Sequence, residues 1–328
     1  MKLSVAQARA LVQAAMEAVG HSAAEAAVIG DHLIDCELRG LSYGGLPRAL
    51  SVIERIKSAT EPKRPIKVRR ESPVSASIDG GDQVGYLVAQ QATDMAIAKA
   101  KASGIAVVGA NETWYTGMFS YYLEQVTRAG FVGLIAGSGG HIVAPAGGTE
   151  KRFGTNPIAF GFPALDTPII WDIGTSSIML AEVLLAMRLE QPLAEGRAYD
   201  SQGQPTTDPA AALGGAFTGW GGHKGSGLAL VVQLLGMLTG AAAAPDGLRD
   251  CGFFLLVIDP NLLSDLDDYK QRVAAYADSL RATRPLDPNL PVRVPFERSA
   301  AERAKRLAAD EIVVDDAVHN ALIKIASL

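Results

Sequence analysis

The sequence predicts a mixed α/β fold in which a helical N-terminal region precedes a longer stretch of alternating strands and helices. Two patterns support this prediction. Apolar residues recur at helical spacing through most of residues 1–60, whereas from Phe131 to Trp171 short β-branched runs alternate with loops rich in Gly, Pro and Thr. The chain has 328 residues, 48% of them hydrophobic, so it can bury a large core and form two or three domains.

The first 60 residues are predicted to form three helices. Their apolar stripes run through Val5–Val19, Ala23–Leu38 and Leu50–Ile56, and a Gly- and Pro-containing turn, Gly40–Pro47, separates the last two. The polar, proline-containing stretch that follows leads into strand-like alternation at Ser75–Ile78. This part of the chain is therefore expected to be helical first and to enter a sheet only near residue 75.

The remainder of the chain is predicted to alternate between helices and short strands. A turn at Gly80-Gly81-Asp82 leads into an Ala-rich helix, Tyr86–Ser103, which ends at Gly104. Strands are indicated by β-branched and aromatic runs at Ile105–Val108, Val132–Ala136, Ile158–Phe162, Pro168–Trp171 and Phe253–Ile258. Further helices are predicted over Ser177–Arg188, Lys224–Leu238, residues 299–310 with Ser299 as the N-cap, and Asp316–Ser327, with a polar loop over Gln191–Pro209.

Composition excludes several classes of function. The net charge of −5 argues against a nucleic-acid binder, whose phosphate contacts need clustered Lys and Arg. The densest cationic segment, Lys63–Arg70, is broken by proline and contains no aromatic residue, so we interpret it as a solvated linker. Cys36 and Cys251 lie far apart without CxxC spacing, which excludes a structural zinc cluster and favours a reducing, cytoplasmic compartment. His32 lies on an amphipathic helix and is interpreted as a surface or hydrogen-bonded residue, so no metal site is predicted.

No segment of the sequence is predicted to enter a membrane. The N-terminus has the apolar stripe of an amphipathic helix and lacks the continuous apolar run of a signal peptide. The most apolar stretch, Leu228–Ala244, is shorter than the roughly 18 residues of a membrane span, and Gly236 and Gly240 interrupt it. We therefore interpret it as a buried core helix.

The standard nucleotide-binding motifs are absent from the sequence. No GxGxxG lies between a strand and a helix, because Gly137–His141 has the wrong spacing, and Gly219–Ser226 offers Lys-Gly-Ser in the wrong frame for a P-loop. Polar side chains nonetheless accompany glycine at several expected element ends, where functional sites tend to lie. These places are Ser42–Gly44 with Arg48, Asn111–Tyr122, Gly154–Pro157, Asp172–Ser176 with Glu182, and His223–Ser226.

Four stretches of the sequence, in their order along the chain, carry a family resemblance. They are VAPAGGTEKRFGTNPIAF (Val143–Phe160), WDIGTSS (Trp171–Ser177), DSQGQPTTDP (Asp200–Pro209) and GGHKGSGLALVVQLLGMLTGA (Gly221–Ala241). With them the chain resembles, over nearly its whole length, the malate/L-lactate dehydrogenase-like (type-2 lactate dehydrogenase) family. The GGHKGS form is most similar to the ketimine reductases that act on Δ1-piperideine-2-carboxylate and Δ1-pyrroline-2-carboxylate.

The resemblance implies a non-Rossmann α/β architecture. A helical N-terminal region (residues 1–60) is expected to be joined by C-terminal helices (residues 299–328), and an α/β connecting segment (residues 61–118) is expected to lead to an NAD(P)-binding domain (residues 119–298) on a largely antiparallel sheet. The resemblance also implies a homodimer, an active site in the cleft between domains, and a small-molecule carboxylate substrate. NADPH is the expected cofactor, with NADH as the alternative.

The resemblance assigns catalytic and substrate-binding residues. The family's Ser-His-Gly turn, which supplies its proton donor, corresponds to Ser42-Tyr43-Gly44, so that Tyr43 stands in place of the histidine and Ser42 in place of the relay serine. The family's relay Asp aligns with Glu182. Arg48, one position later than the family spacing, is the candidate for bidentate binding of the substrate carboxylate. Thr155 falls where the ketimine reductases contact substrate.

The resemblance also assigns a set of cofactor contacts. The expected cofactor-binding residues are Tyr115, Thr116, Gly117, Met118 and Phe119, then Asp172, Ile173 and Gly174, and finally His223 and Lys224. Met118 stands where the family has a second histidine, so that both of its usual imidazoles are missing. The family's Pro-Gly-Glu near the C-terminus is Pro295-Phe296-Glu297 here, so close backbone approach at that glycine is not expected.

The missing histidines bear on the reaction. An imidazole with a pKa near ~6.5 can remove the proton of a hydroxy acid at neutral pH, whereas a phenol with a pKa near ~10 cannot unless it is strongly shifted. A protonated cyclic imine is already activated, so positioning supplies much of what its reduction needs. The sequence therefore predicts an NAD(P)H-dependent reductase of a cyclic 2-imino carboxylate. A 2-hydroxy acid dehydrogenase of the malate or lactate type and a catalytically impaired dinucleotide-binding protein remain as alternatives.

Overall fold

The computed structural model describes residues 1–245 and 247–327. Its helices are α1 Val5–Glu17, α2 Ala23–Leu38, α3 Leu46–Lys57, α4 Gly85–Ser103, α5 Phe119–Arg128, α6 Leu180–Arg188, α7 Pro209–Gly214, α8 His223–Leu238, α9 Leu266–Arg281, α10 Glu297–Ala309 and α11 Asp316–Ala326, with 3₁₀ turns at Ser42–Gly44 and Pro260–Leu262. Its strands are β1 Lys2–Leu3, β2 Lys67–Ser72, β3 Ser75–Val84, β4 Ile105–Trp114, β5 Val132–Gly137, β6 Ile158–Phe162, β7 Ile169–Ile173, β8 Ala198–Tyr199, β9 Pro205–Thr206, β10 Ala216–Phe217, β11 Phe253–Ile258 and β12 Ile312–Val313.

The main sheet has seven strands in the order β2-β3-β4-β11-β5-β6-β7. Within the described residues β3 and β4 are parallel, and the other neighbouring strands are antiparallel. The central strand β11 reads as an almost unbroken apolar run because the sheet is covered on both faces there. These observations confirm the expected α/β fold with a largely antiparallel sheet.

Helices pack closely on both faces of this sheet. On one face, α4 presents Ala89, Ala92 and Ala96, all fully buried, and these small side chains let the helix lie close to the strands. On the other face, α8 crosses β5 and β11, and a Cβ at Gly236 would collide with the Ser138 side chain. Gly236 is therefore a close-packing position within a continuous helix, not an interruption of it.

The helices at the two ends of the chain share one hydrophobic core. Ser4 and Ser22 cap α1 and α2 with complete capping boxes, which fixes where both helices begin. The apolar faces of α1, α2 and α3 pack with α11, and β1 pairs with β12. The boundaries at residues 60, 118 and 298 stay predictions, but this packing explains how the C-terminal helices reach the N-terminal ones.

A buried ion network joins three separated helices. Arg39, at the end of α2 and 1% exposed, donates from Nε to Asp35 Oδ2 at 2.6 Å and from Nη2 to Glu124 Oε2 of α5 at 2.5 Å. Arg303 of α10 donates to the other Asp35 oxygen at 2.6 Å. The Arg39 guanidinium also lies 4.8 Å from the centre of the Phe296 ring. The network therefore ties the helical region to the sheet-bearing part of the chain.

Several predicted boundaries in the first half of the chain are wrong. Gly80-Gly81-Asp82 is not a turn, because β3 continues through it with an irregularity between Asp79 and Gln83. The strand predicted over Ile105–Val108 continues to Trp114. Part of the segment interpreted as a solvated linker forms the edge strand β2, although its side chains are mostly exposed.

Two predictions in the second half also need correction. Ser299 is not an N-cap, since α10 begins at Glu297 and the Ser299 hydroxyl donates to the Phe296 carbonyl inside the first turn. The helix within Leu228–Ala244 is only partly buried, because one face of α8 is exposed. Within residues 1–245 and 247–327, every helix is too short or too polar to cross a membrane.

Candidate active site

A cleft of about 1160 Å³ is formed by several distant segments of the chain. The helical region contributes the turn at Ser42–Gly44 and the start of α3. The segment Tyr115–Met118, the loops that leave β5 and β7, and residues before α10 complete the walls. A cleft of this volume exceeds that of an ordinary small-molecule site and can hold a dinucleotide together with a small substrate.

The cleft carries an excess of positive charge. Five cationic or imidazole side chains line it: Arg48, His141, Lys151, Arg293 and Arg298. Asp172 is the acidic side chain among the lining residues. Lys151, Arg293 and Arg298 have no salt-bridge partner in the described part of the chain. Such a lining suits ligands that carry several anionic groups.

Arg48 is the most constrained of these cations. It lies in the first turn of α3, which begins at Leu46, earlier than predicted, because Pro47 occupies a position where the helix needs no N–H donor. Its side chain is 9% exposed, and its guanidinium carbon lies 4.2 Å from the centre of the Tyr115 ring. Its Nη1 has no acceptor within the described residues. A buried guanidinium with an unused donor is suited to bind a carboxylate.

Tyr43 also lines the cleft, whereas Ser42 and Glu182 do not. Burial, together with the nearby Glu182 carboxylate, raises the pKa of Tyr43 to about 12. The phenol is therefore neutral and able to donate a proton or a hydrogen bond throughout the physiological range. Glu182 accepts from the Met179 backbone N–H at 2.7 Å and so caps α6, but it lies near enough to influence the phenol.

Glu37 lies directly beneath this turn, and the sequence reasoning did not identify it. It is 1% exposed, and its Oε1 accepts from the Leu46 backbone N–H at 2.7 Å, at the start of the helix that carries Arg48. Gly45 is the N-cap residue of this helix and has no side chain that could accept from its first N–H groups. The Glu37 carboxyl accepts from one of them instead. Burial raises the pKa of Glu37 to about 7.

Glu37→Gln is expected to make the free energy of unfolding less dependent on pH. Because the folded-state pKa is raised above the ordinary value of 4.5, the folded state holds the proton more tightly, and wild-type stability is lost as pH rises through the interval from about 4.5 to about 7. The glutamine amide would keep an acceptor for the Leu46 N–H and would not ionise. Urea unfolding at pH 5 and pH 8 should show the variant gaining about 2–3 kcal/mol on the wild type over that interval. An equal difference at both pH values would contradict this assignment.

The expected cofactor-binding segment is mostly in the cleft. Tyr115, Thr116, Gly117 and Met118 line it, but Phe119 is buried in the sheet core, its ring 5.7 Å from that of Phe253. Gly117 has a φ of +80°, a conformation that disfavours other residues. The Tyr122 hydroxyl donates to the Thr116 carbonyl at 2.9 Å and holds the segment against α5.

The end of β7 faces this segment across the cleft. Asp172, Ile173 and Gly174 all line the cleft. The Asp172 Oδ2 accepts from the Ser120 backbone N–H at 2.7 Å, at the start of α5. Burial raises the pKa of Asp172 to about 6, so the side chain is mostly ionised at neutral pH. It is thus positioned to balance a positive charge in the cleft.

The GTNP segment contributes two lining residues. The Thr155 side chain is predicted from the sequence to contact substrate, and the residue lines the cleft, with its carbonyl accepting from Thr175. The neighbouring Asn156 was not singled out by itself. Its amide Nδ2 donates to the Ala229 carbonyl at 2.8 Å and to Gln233 Oε1 at 2.9 Å, which leaves Oδ1 without a donor within the described residues.

His223 and Lys224 lie outside the cleft lining. Both are exposed at the first turn of α8. The loop that leaves β5, with Gly139, Gly140 and His141, lines the cleft instead, together with Lys151. In the sequence this loop could only be recognised as a glycine run with the wrong spacing for a Rossmann motif, so nothing distinguished it from an ordinary turn.

The residues in the cleft fit a nicotinamide dinucleotide. Cations suited to phosphates line it, and the glycines at positions 117, 139, 140 and 174 lie in its wall. The free Asn156 Oδ1 and Arg48 Nη1 are unused polar groups in its wall. Among the described residues there is no group of three or more His, Cys, Asp or Glu that could hold a metal ion.

The chain is similar to several known dehydrogenases and to a reductase. The family model described as malate/L-lactate dehydrogenase matches residues 3–323. L-sulfolactate dehydrogenase of Methanocaldococcus jannaschii is 32% identical over 312 residues, covering 92% of this chain and 90% of that protein. A Δ1-pyrroline-2-carboxylate/Δ1-piperideine-2-carboxylate reductase of Pseudomonas aeruginosa is 35% identical over 238 residues, covering 69% of each. The crystal structure of a dehydrogenase from Sinorhizobium meliloti superimposes with a TM-score of 0.91 at 32% identity, covering 99% of this chain and 98% of that chain.

The match to the family covers almost the whole chain, and the fold and the cleft are consistent with it. The relatives named above are dehydrogenases and a reductase, which confirms the expectation of an NAD(P)-dependent oxidoreductase. The chain belongs to the malate/L-lactate dehydrogenase family of NAD(P)-dependent oxidoreductases.

Proposed function

We propose that the protein is an NAD(P)H-dependent reductase of cyclic 2-imino carboxylates, with Δ1-pyrroline-2-carboxylate or Δ1-piperideine-2-carboxylate as substrate. The observation that carries the proposal is that Arg48 and Tyr43 line the same cleft. The cleft thus contains a cation suited to bind a carboxylate and a phenol with a pKa of about 12. Such a phenol is a poor base for an alcohol, but it can donate a hydrogen bond to the lone pair that forms on the nitrogen when an imine is reduced.

In this proposal the chain's own residues bind, orient and balance charge. Arg48 binds the substrate carboxylate through its unused Nη1, and the Tyr115 ring beneath the guanidinium keeps it in place. Tyr43 donates a hydrogen bond to the lone pair that develops on the substrate nitrogen as hydride adds to the neighbouring carbon. Asp172 offsets the positive charge of the protonated imine. When bound, the nicotinamide supplies the hydride that reduces the C=N carbon.

The proton inventory favours an imine over a hydroxy acid. A protonated imine accepts a hydride at carbon and becomes the neutral amine, so the chemical step requires no proton from the enzyme. Oxidation of a hydroxy acid requires a base that takes the alcohol proton as the hydride leaves. At the two positions where the family has histidine, Met118 offers no basic group and Tyr43 is protonated at neutral pH. His141 and Asp172 also line the cleft, so a hydroxy-acid dehydrogenase would have to use one of them as its base.

Initial rates of NADPH and NADH oxidation with four substrates test the proposal. The substrates are Δ1-pyrroline-2-carboxylate, Δ1-piperideine-2-carboxylate, pyruvate and oxaloacetate. The proposal predicts that kcat/KM is largest for one of the cyclic imines. Clear NADPH binding without turnover of any substrate would favour a catalytically impaired family member instead.

A second candidate, a dehydrogenase of a dianionic 2-hydroxy acid, is favoured by one observation. Arg298, at the start of α10, lines the cleft and lies close enough to Tyr43 to lower the pKa of its phenol slightly. A second cation near the substrate would suit a second carboxylate or a sulfonate, and L-sulfolactate dehydrogenase is among the similar proteins. Oxidation of malate or sulfolactate that depends on Arg298 would support this candidate.

We propose NADPH as the cofactor. The 2′-phosphate distinguishes NADPH from NADH, and Lys151, Arg293 and Arg298 supply cleft cations without carboxylate partners in the described residues. Titration of each reduced cofactor, followed by its fluorescence, tests the preference. We expect a lower Kd for NADPH. Equal Kd values for NADPH and NADH would contradict the proposal that these cations bind the 2′-phosphate.

We also propose that the protein is a cytoplasmic homodimer. Leu230, Leu234 and Leu238 form an apolar stripe on α8, and they are 49%, 53% and 73% exposed. A stripe of this kind is typical of an interface. The two cysteines are buried free thiols, which suits a reducing compartment. Light scattering after size exclusion should give twice the chain mass, and Leu234→Lys should shift it towards the monomer.

Tyr43→Phe is expected to lower kcat for imine reduction by about tenfold to 100-fold, which corresponds to the loss of one hydrogen bond to a polar transition state. KM should change little, because Arg48 still binds the carboxylate. Tyr269→Phe is the matched control, since Tyr269 is also a half-buried phenol but does not line the cleft. If Tyr43→Phe retains full kcat, the phenol is not the donor.

A further inference from the structure

A buried histidine holds one wall of the cleft from behind, and the proposed reaction does not use it. His32 lies in the middle of α2 and is 1% exposed. Its Nε2 accepts a hydrogen bond from the Met118 backbone N–H, with 2.9 Å between the two nitrogens. Met118 ends the cleft-lining segment Tyr115–Met118, so His32 contacts the back of that segment, away from the cavity.

The packing around His32 leaves the segment little freedom. The imidazole lies 4.6 Å from the ring centres of both Tyr86 and Tyr121. Gly117 approaches the imidazole so closely that a Cβ there would collide with Nε2 and with the Tyr86 ring. The positive φ of Gly117 and the hydrogen bond from the Met118 N–H therefore both belong to the close packing of this segment against His32.

The hydrogen bond requires one particular form of the imidazole. Nε2 can accept only if it carries a lone pair, so the proton must be on Nδ1. Burial lowers the pKa of His32 to about 3, a net shift that Asp35 opposes and the Arg39 charge assists. His32 is thus neutral at every pH at which the protein is expected to work, and the acceptor is always present.

We propose that His32 is a positioning residue for cofactor binding, whose Nε2 holds Tyr115–Met118 in the shape that receives NAD(P)H. The inference rests on the proposed function, since it takes this segment to contact the cofactor. A segment ordered in advance does not have to be ordered by the ligand, so more of the contact energy appears as affinity. Without the acceptor the part-buried Met118 N–H would lose this partner and the segment would rearrange.

Cofactor titrations with three variants test the proposal. His32→Phe keeps a ring among the tyrosines but removes the acceptor, and we expect the Kd and KM for NADPH to rise about tenfold or more, as for an unpaired buried donor. The kcat at saturating NADPH should fall far less, because bound cofactor restores the segment. His32→Gln places an amide oxygen near the former Nε2 and should recover part of the affinity.

His21→Phe is the matched control for a purely structural effect. His21 is also a buried histidine of the helical region, 6% exposed, and its ring nitrogens have no hydrogen-bond partner within the described residues. This variant should bind NADPH like the wild type. Equal weakening in His21→Phe and His32→Phe, or wild-type affinity in a folded His32→Phe, would overturn the proposal.

Two measurements separate this inference from the proposed function. Hydrogen exchange should be faster over residues 115–120 in His32→Phe than in His21→Phe, even with no cofactor present. In the wild type, ¹⁵N NMR should show His32 neutral with its proton on Nδ1 from about pH 5.5 to about pH 9, a result that needs no variant to fold. A titrating His32 or the opposite tautomer would overturn the inference and leave the proposed function untouched. Wild-type protein that binds NADPH but reduces neither cyclic imine would overturn the proposed function and leave the inference untouched.

Discussion

Arg48→Lys is expected to lower kcat/KM for cyclic imine reduction about 100-fold, a loss of roughly 2.7 kcal/mol of transition-state stabilisation. Lysine keeps the charge but cannot pair with a carboxylate through two parallel N–H donors, and it loses the planar stacking on Tyr115. Most of the change should appear in the KM for the imine, because the carboxylate is bound in both the ground state and the transition state. The KM for NADPH should stay near its wild-type value.

Arg55→Lys provides a matched control on the same helix. Arg55 also stacks on an aromatic ring, with its guanidinium carbon 5.2 Å from the centre of Trp114, and its Nη2 lies 2.9 Å from both carboxylate oxygens of Asp82. It does not line the cleft. This variant should lose stability but keep its KM for the imine. If the KM for the imine rises by a similar factor in Arg48→Lys and Arg55→Lys, the Arg48 substitution acts through folding and not through substrate binding.

Arg39→Met is expected to reduce the free energy of unfolding by about 3–5 kcal/mol, the usual cost of removing one partner from a buried ion pair. Asp35 would keep Arg303, but Glu124 would lose the buried guanidinium and keep only the exposed Arg128. Urea unfolding followed by circular dichroism measures the change. Because the network joins α2, α5 and α10, the docking of α10 should loosen as well.

An exposed ion pair gives the comparison for this variant. Arg152 pairs with Glu150 at 2.5 Å, but the two side chains are 59% and 76% exposed. Arg152→Met should therefore change the free energy of unfolding by less than about 1 kcal/mol. If Arg39→Met lowers the free energy of unfolding by no more than Arg152→Met does, the buried ion network does not stabilise the fold as expected.

The sequence was sufficient for the elements whose signals are local. The stripe over Ala23–Leu38 matches α2 residue for residue, and the apolar runs Ile158–Phe162 and Phe253–Ile258 are β6 and β11. The wrong predictions lie where tertiary packing determines the secondary structure. Glycines at positions 80 and 81 read as a turn because their role in β3 depends on the strand beside them, and Ser299 read as a cap because nothing local indicates that α10 begins at Glu297.

The site was predictable to the extent that a family motif carries it. The motifs drew attention to Tyr43, Arg48 and Thr155, and the structure brings these three into one cleft. The motifs did not identify the residues that support the cleft wall without lining the cleft. Glu37 and His32 are two of several polar side chains on α2, and what sets them apart is that they accept from backbone N–H groups nine and 86 positions away.

A single competition experiment tests the central claim most directly. Δ1-piperideine-2-carboxylate and oxaloacetate are mixed at equal concentration with limiting NADPH, and the two products are quantified by mass spectrometry. At equal concentrations the product ratio equals the ratio of kcat/KM values. The account predicts that the cyclic amino acid exceeds malate by about tenfold or more, as expected if the transition states differ by at least about 1.4 kcal/mol. Malate in comparable or greater amount would contradict the assignment of this cleft to imine reduction.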